Sequence, residues 1–202
     1  MKKIHFHGCN HERGEKILET QNPIFSRGDR HWLGDGFYLY EDSIYAYNWI
    51  KNMFENNKKG YNINNKSEIE DFFYILKCHY DVDKNRIFNL DKVRHKLLFD
   101  YLRDKVTERL KKIKKTKKIS EGVLINYVYN ELNYAEKYDV FIATFHRRQN
   151  KYSDEYYRIN SLPEKQICIK NDKVVLNIGK YKYSKDKLEL ENFVEKINRP
   201  IV

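Results

Sequence analysis

Short runs rich in β-branched and aromatic residues occupy both ends of this chain, and its middle carries two segments with helical spacing. That division limits the fold more than any other feature. KKIHFHG (Lys2–Gly8) alternates, with Ile4 and Phe6 on one face, and FYLYE (Phe37–Glu41), DFFYILKCHYDV (Asp71–Val82) and RIFNL (Arg86–Leu90) read as further strands. Strand patterns return in YDVFIATF (Tyr138–Phe145), KQICIK (Lys165–Lys170) and KVVLNIG (Lys173–Gly179). Asn10 is placed to cap a short helix, and Asp42 one that carries Ala46, Trp49, Ile50 and Met53 on one face. Asp91 is a third cap candidate, before the row Val93, Leu97, Tyr101, Leu102, Val106, Leu110 and Ile113. Ser120 opens a helix with Val123, Leu124, Tyr127, Val128 and Leu132, and a last helix is expected from about Lys187 to Ile197. Asn22–Gly36, rich in Gly, Pro and Asp, reads as loop. The expectation is an α+β fold rather than a regular βαβ alternation. No Gly-x-Gly-x-x-Gly follows a strand, which argues against a Rossmann dinucleotide site.

At 202 residues, 41% of them apolar, the chain reads as a single domain over 1–202 with a helical insertion at about 91–134. Cys9, Cys78 and Cys168 lie far apart and show no metal-ligand spacing, so reduced thiols and no metal are expected. MKKIHFHG lacks the apolar stretch of a signal peptide and no apolar run reaches membrane-spanning length; a cytoplasmic protein with no membrane partner is expected. The formal charge of +10 is concentrated in RLKKIKKTKK, Arg109–Lys118, with seven cations and no acid. Two readings stay open for it: a solvated helix end leading into a linker, or a surface that gains affinity by releasing counterions from a polyanion.

Three motifs carry the chemistry. His7-Gly8 ends the first strand. LGDGFYLYEDSIYAYNW (Leu33–Trp49) puts two glycines around Asp35, then Tyr38 and Tyr40, then Ala46 and Trp49 on a helix. PEKQICIKND (Pro163–Asp172) is the third. In this order they resemble the ADP-ribosyltransferase superfamily, in its branch shared by diphtheria toxin and the poly(ADP-ribose) polymerases, and more narrowly small bacterial and phage-related proteins of that kind. The resemblance implies a split β-sheet with helices inserted between the amino- and carboxy-terminal strands. It implies NAD as co-substrate and transfer of ADP-ribose to a macromolecule, RNA or DNA favoured over protein. It further implies a toxin or antiphage effector and a neutralising antitoxin partner. NAD hydrolysis, and a catalytically degenerate NAD- or RNA-binding protein, are the alternatives.

By the same resemblance His7 hydrogen-bonds the adenosine ribose, the backbone of Gly8 clamps the nicotinamide carboxamide, Tyr38 packs on the nicotinamide ring, and Trp49 closes the sandwich. Ala46 falls at a cofactor-binding position where the family commonly has a Ser that contacts the carboxamide, so a side-chain contact is lost there. The family's third-motif Glu is replaced by Gln166, whose amide can hold a hydroxyl but cannot act as a base. Glu164 falls on the same face of the strand as the alternative, with Glu155 also nearby in sequence. Arg27 and Arg30 sit on the loop before the second motif, placed to meet a pyrophosphate, and Arg147 and Arg148 are expected at the same cleft mouth.

Overall fold

A computed structural model describes residues 1–56, 69–114, 118–148 and 161–182. Along the chain run β1 (Lys2–Asn10), α1 (His11–Thr20), β2 (Phe37–Tyr40), α2 (Ser43–Asn56), β3 (Phe73–Asp81), β4 (Ile87–Asn89), α3 (Val93–Lys114), α4 (Glu121–Glu131), β5 (Val140–Arg148), β6 (Ser161–Ile169) and β7 (Val175–Tyr181). The strands form one seven-stranded sheet in the order β4-β5-β6-β2-β1-β3-β7, antiparallel except for the β4–β5 pair. This is an α+β arrangement. The expected terminal helix at 187–197, and Glu155, lie outside the described residues.

The middle of the sheet is its weakest seam. β1 pairs with β3 along its whole length and β2 pairs with β6 over four positions. Between them, β1 and β2 share one register pair, Phe6 with Tyr40. Beyond it the strands part, so the second half of β1, from His7 to Asn10, faces a gap instead of a backbone ladder.

Strand alternation sorts the side chains into three cores. Phe37, Leu39, Ile167 and Ile169 join Leu76, Cys78 and Ile17 of α1 on one face. On the opposite face, Phe6, Tyr40, Phe73 and Ile75 pack under Ala46 and Ile50 of α2. Farther along that face, Phe141, Ala143 and Cys168 pack under Phe99 and Leu110 of α3 and Leu124, Ile125 and Val128 of α4. The three thiols are buried, and burial pushes those of Cys9 and Cys78 up to about 12. Among the described residues no helix is long and apolar enough to cross a membrane.

The caps at Asn10 and Ser120 form as expected: Asn10 Oδ1 accepts from the N–H of Arg13 at 3.1 Å, and Ser120 Oγ from that of Val123 at 3.3 Å. Asp42 accepts from the N–H of Ile44 at 3.0 Å at the start of α2. Asp91 does something else. Its carboxylate takes the N–H and hydroxyl of Thr144 at 2.8 and 2.9 Å, tying the entry of α3 to β5.

The apolar row expected on α3 is also corrected. Val93, Leu97, Tyr101 and Ile113 stand exposed, whereas Phe99 and Leu110 are buried and Leu98, Leu102 and Val106 pack beside them. The inward stripe is rotated from the expected one.

Candidate functional site

The parting of β1 from β2 opens a cleft of about 550 Å³, a size proper to small-molecule and cofactor sites. Its walls gather His7, Gly8, Tyr38, Trp49 and Gln166, drawn from β1, β2, α2 and β6, with Arg27 and Arg30 from the loop before β2. Arg147 and Arg148 end β5, and their side chains lie outside the described residues.

His7 is turned into the seam. Its Nδ1 lies 2.7 Å from the Tyr38 carbonyl, and its ring centroid is 4.4 Å from that of Phe37. A carbonyl only accepts, so Nδ1 carries the proton and donates it. That leaves Nε2 as a bare acceptor, buried and without a protein partner. Burial pushes the imidazole down to about 4, so it is neutral at pH 7. His7 lines the cleft, and a buried acceptor left without a partner matches one kind of ligand group, a hydroxyl or N–H donor.

Gly8 is fixed by packing as well as by any ligand. A Cβ on it would meet Ile50 Cγ2 at 2.7 Å, the Ala46 carbonyl oxygen at 2.9 Å and Trp49 Cε3 at 3.2 Å. Ala46 is fully buried and absent from the cleft wall, so its small side chain lets α2 close on β1, and the carboxamide contact implied by the resemblance does not fall to it. Gly8→Ala is therefore expected to lower the thermal midpoint, since overpacking against backbone costs roughly 1–3 kcal/mol. An unchanged midpoint would show that α2 does not seat on Gly8.

Tyr38 presents its ring to the cleft but commits its hydroxyl elsewhere. That oxygen accepts the N–H of Leu33 at 2.9 Å and donates to the Gly34 carbonyl at 2.6 Å. Burial drives the phenol far up, so it neither gives nor takes a proton near neutrality. Its part is to pin the turn and offer a flat face.

Gln166 and Glu164 share a face of β6, both buried. Gln166 Nε2 donates to Glu164 Oε1 at 2.5 Å. A carboxylate only accepts, so this bond sets the amide with its nitrogen toward Glu164 and leaves the carbonyl oxygen for the cleft. Glu164 itself is not on the cleft wall; it stands one residue behind. Among the described residues the wall holds no Asp or Glu.

Several cleft residues escaped the sequence reading. Arg13 of α1 donates to the Ile24 carbonyl and, at 3.4 Å, to Ser26 Oγ, while its buried Nε has no partner. With Arg27 and Arg30 it makes a wall of three guanidiniums. The one available signal was its position three residues after the capping Asn10, where a polar helix residue ordinarily faces solvent. Trp32 was likewise passed over within a stretch read only as loop.

Lys170 is a further buried cation. Its Nζ donates to the carbonyls of Leu33 and Asp35 at 2.6 and 2.5 Å, and it sits over the rings of Phe141 and Tyr129 at 5.4 and 5.6 Å. It thus holds, together with Tyr38, the turn at Leu33–Asp35.

The fold and the cleft define a class: an α+β protein whose sheet parts at its centre around a cationic, aromatic-walled site. The chain is 33% identical over 196 residues to an uncharacterized protein of Methanocaldococcus jannaschii, an alignment covering 89% of this chain and 87% of that one. It belongs to the same family as that archaeal protein. No family model matches the chain, and no solved structure does.

Proposed function

We propose that the cleft binds NAD and that the protein is a mono-ADP-ribosyltransferase acting on a macromolecule. The observation that carries this reading is the orphaned, neutral His7 Nε2 set beside Gly8, Tyr38, Trp49 and Gln166 in one cleft, the residues of three motifs separated by up to 159 positions. The three cleft arginines suit a pyrophosphate, and the aromatic faces of Tyr38 and Trp49 suit a planar heterocycle. Cleavage of the bond between nicotinamide and ribose leaves the bonding pair on nicotinamide; the acceptor's lone pair then bonds to C1′ and its proton passes to solvent. The Gln166 carbonyl oxygen accepts a hydroxyl of the nicotinamide ribose, and His7 Nε2 accepts one of the adenosine ribose. The first contact holds the sugar on which positive charge develops, and the second holds the other end of NAD in place.

The absence of a carboxylate from the described cleft wall bears on the acceptor. Among the described residues the acceptor's proton therefore has no cleft carboxylate to pass to. Chain elongation, which leans on a third-motif Glu, is not proposed. Action as a toxin or antiphage effector, with a neutralising partner, follows from the resemblance alone.

The test is incubation with labelled NAD and total RNA, DNA or lysate protein. Modified macromolecule is the expected product; free ADP-ribose alone would mean hydrolysis, and no turnover would sink the reading. His7→Ala and Gln166→Ala should each lower the rate on the order of tenfold or more, since each removes a buried hydrogen bond worth about 1–3 kcal/mol. Gln166→Glu should also impair, because it places two buried carboxylates side by side and forces them to share a proton. The exchanged pair, Glu164→Gln with Gln166→Glu, restores one amide and one carboxylate and should recover part of the loss. Wild-type rates in the three β6 variants would remove β6 from the site.

A further inference from the structure

A second cavity, of about 200 Å³, lies directly beyond the cleft. Trp32 lines both, so one indole separates them. That ring is 40% exposed and its centroid lies 4.5 Å from that of Phe145. Phe99 of α3 forms another wall, and Asp91, Lys96, Glu121 and Thr144 supply the polar lining. At this volume the cavity falls below the usual range for a whole ligand and suits one planar ring system with polar edges.

The helix that forms its wall is strongly cationic. α3 carries eight Lys and Arg against three acids. Those acids are spoken for: Asp100 pairs with Lys96 and Arg103 at 2.5 and 2.9 Å, Asp104 with Arg103 at 3.3 Å, and Glu108 with Lys111 at 2.6 Å. Arg94 has no ion pair among the described residues, Lys112 acts on the already paired Glu108 only at a distance, and Lys105 and Arg109 sit over the rings of Tyr101 and Tyr127. Aromatic faces interleaved with unneutralised cations are what a flexible polyanion with stacking bases requires.

We propose that the cavity beyond Trp32 receives one base of a single-stranded nucleic acid, stacked on the Trp32–Phe145 pair, while the cations of α3 follow its phosphates. As the acceptor's docking site, it rests on the reading of the neighbouring cleft as the place where NAD is cleaved. A duplex keeps its bases stacked inside and cannot enter. A base held there stands one side chain away from the cleft.

The chain has two tryptophans, and each reports on a different event. In a Trp49→Phe variant, Trp32 is the lone reporter; without NAD, titration with a twelve-nucleotide single strand should quench it saturably. Affinity should fall with salt at a log–log slope of about −0.7 for each phosphate neutralised. An abasic strand of equal length and charge should bind on the order of tenfold more weakly, as should the intact strand to Trp32→Ala, because base–aromatic stacking is removed in both. Equal affinity for abasic and base-bearing strands, or no strand binding at all, overturns the proposal. So does a lysate protein that shields Trp32 while oligonucleotides do not. NAD binding is read separately, from Trp49 in a Trp32→Phe variant. Strand binding without any NAD response there would leave the base pocket standing and remove the NAD reading of the cleft.

Discussion

Replacing Gly122 with alanine should cost this protein about 2–3 kcal/mol, although alanine is the better helix former. Propensity alone predicts the opposite sign, a gain of up to about 1 kcal/mol. Geometry decides. A Cβ on Gly122 would fall onto the carbonyl oxygen of His31 and within 3.0 Å of its carbonyl carbon, with the Gly34 nitrogen at 3.3 Å. These are backbone atoms and cannot swing aside. They belong to a loop held on α4 at several points. Ser120 Oγ donates to the Asp29 carbonyl at 2.7 Å, Asn126 Oδ1 accepts the N–H of Asp35 at 2.6 Å, and Asn126 Nδ2 returns a bond to Asp35 Oδ1 at 3.1 Å. The added methyl must lift the loop from the helix, and overpacking of this kind costs roughly 1–3 kcal/mol or more. For a chain of this size the thermal midpoint should drop by about 4–12 °C. Because the same loop brings Arg27, Arg30, His31 and Trp32 to the cleft, ligand affinity should fall with it. Gly28 makes the comparison: its φ of +123° strains any replacement, yet a Cβ there meets nothing within 4 Å, so Gly28→Ala should cost less. A midpoint at or above that of the wild type in Gly122→Ala would show that the loop is not seated on α4.

The loop also marks where the sequence stopped being legible. Strands, caps and the order of elements followed from alternation, Asx residues and glycines, because those signals are local. Gln166 and Glu164 could be put on one face of β6 for the same reason: strand period is fixed at two. What the chain does not announce is which partner an element meets. α3 contains two apolar rows, and periodicity cannot choose between Val93–Leu97–Tyr101 and Leu98–Leu102–Val106. The tie from Asp91 to Thr144 helps set how the helix enters, and so which row turns inward. Lys170 at the end of a strand reads as a solvated charge; its burial depends on two carbonyls 135 and 137 residues earlier. Arg13 was hidden in the same way, since the gap it faces exists only because β1 and β2 part after one register pair. The cleft residues from motifs were visible as residue types, and those supplied by packing were not.

Acid should begin to weaken this fold at a pH well above the range in which its lowered carboxylates are protonated. Burial holds His7 down at about 4, and His5, buried with its Nδ1 3.0 Å from the Tyr80 hydroxyl, at about 4 as well. In the unfolded chain both return to about 6.5. Between pH 6.5 and 4 the unfolded state therefore binds protons that the folded state refuses, so stability rises with pH across that window. It is fully present above pH 6.5 and drains away as the pH falls toward 4. With a 1.4 kcal/mol change for each pH unit per site, His7 should have removed about 2 kcal/mol by pH 5, and His5 that amount or somewhat less. The lowered carboxylates Asp81, Asp100, Glu108 and Asp139 add their loss only as the pH falls through their own depressed values, below the ordinary 3.8 to 4.5. The stretch from pH 6.5 to 5 thus isolates the imidazoles. Denaturant unfolding at pH 7, 6 and 5 should show the loss, and His5→Asn combined with His7→Asn should remove most of it, the remainder coming from His95, which burial also holds down. NAD affinity should behave differently, because His7 stays neutral, with Nδ1 on the Tyr38 carbonyl and Nε2 toward the cleft, until the fold itself gives way. Affinity should be level from pH 8 to 5 while stability falls across the lower half of that range. A binding curve that instead drops with a midpoint near 6.5 would mean that His7 titrates as a solvated imidazole and is not the buried acceptor on which the cleft's reading depends.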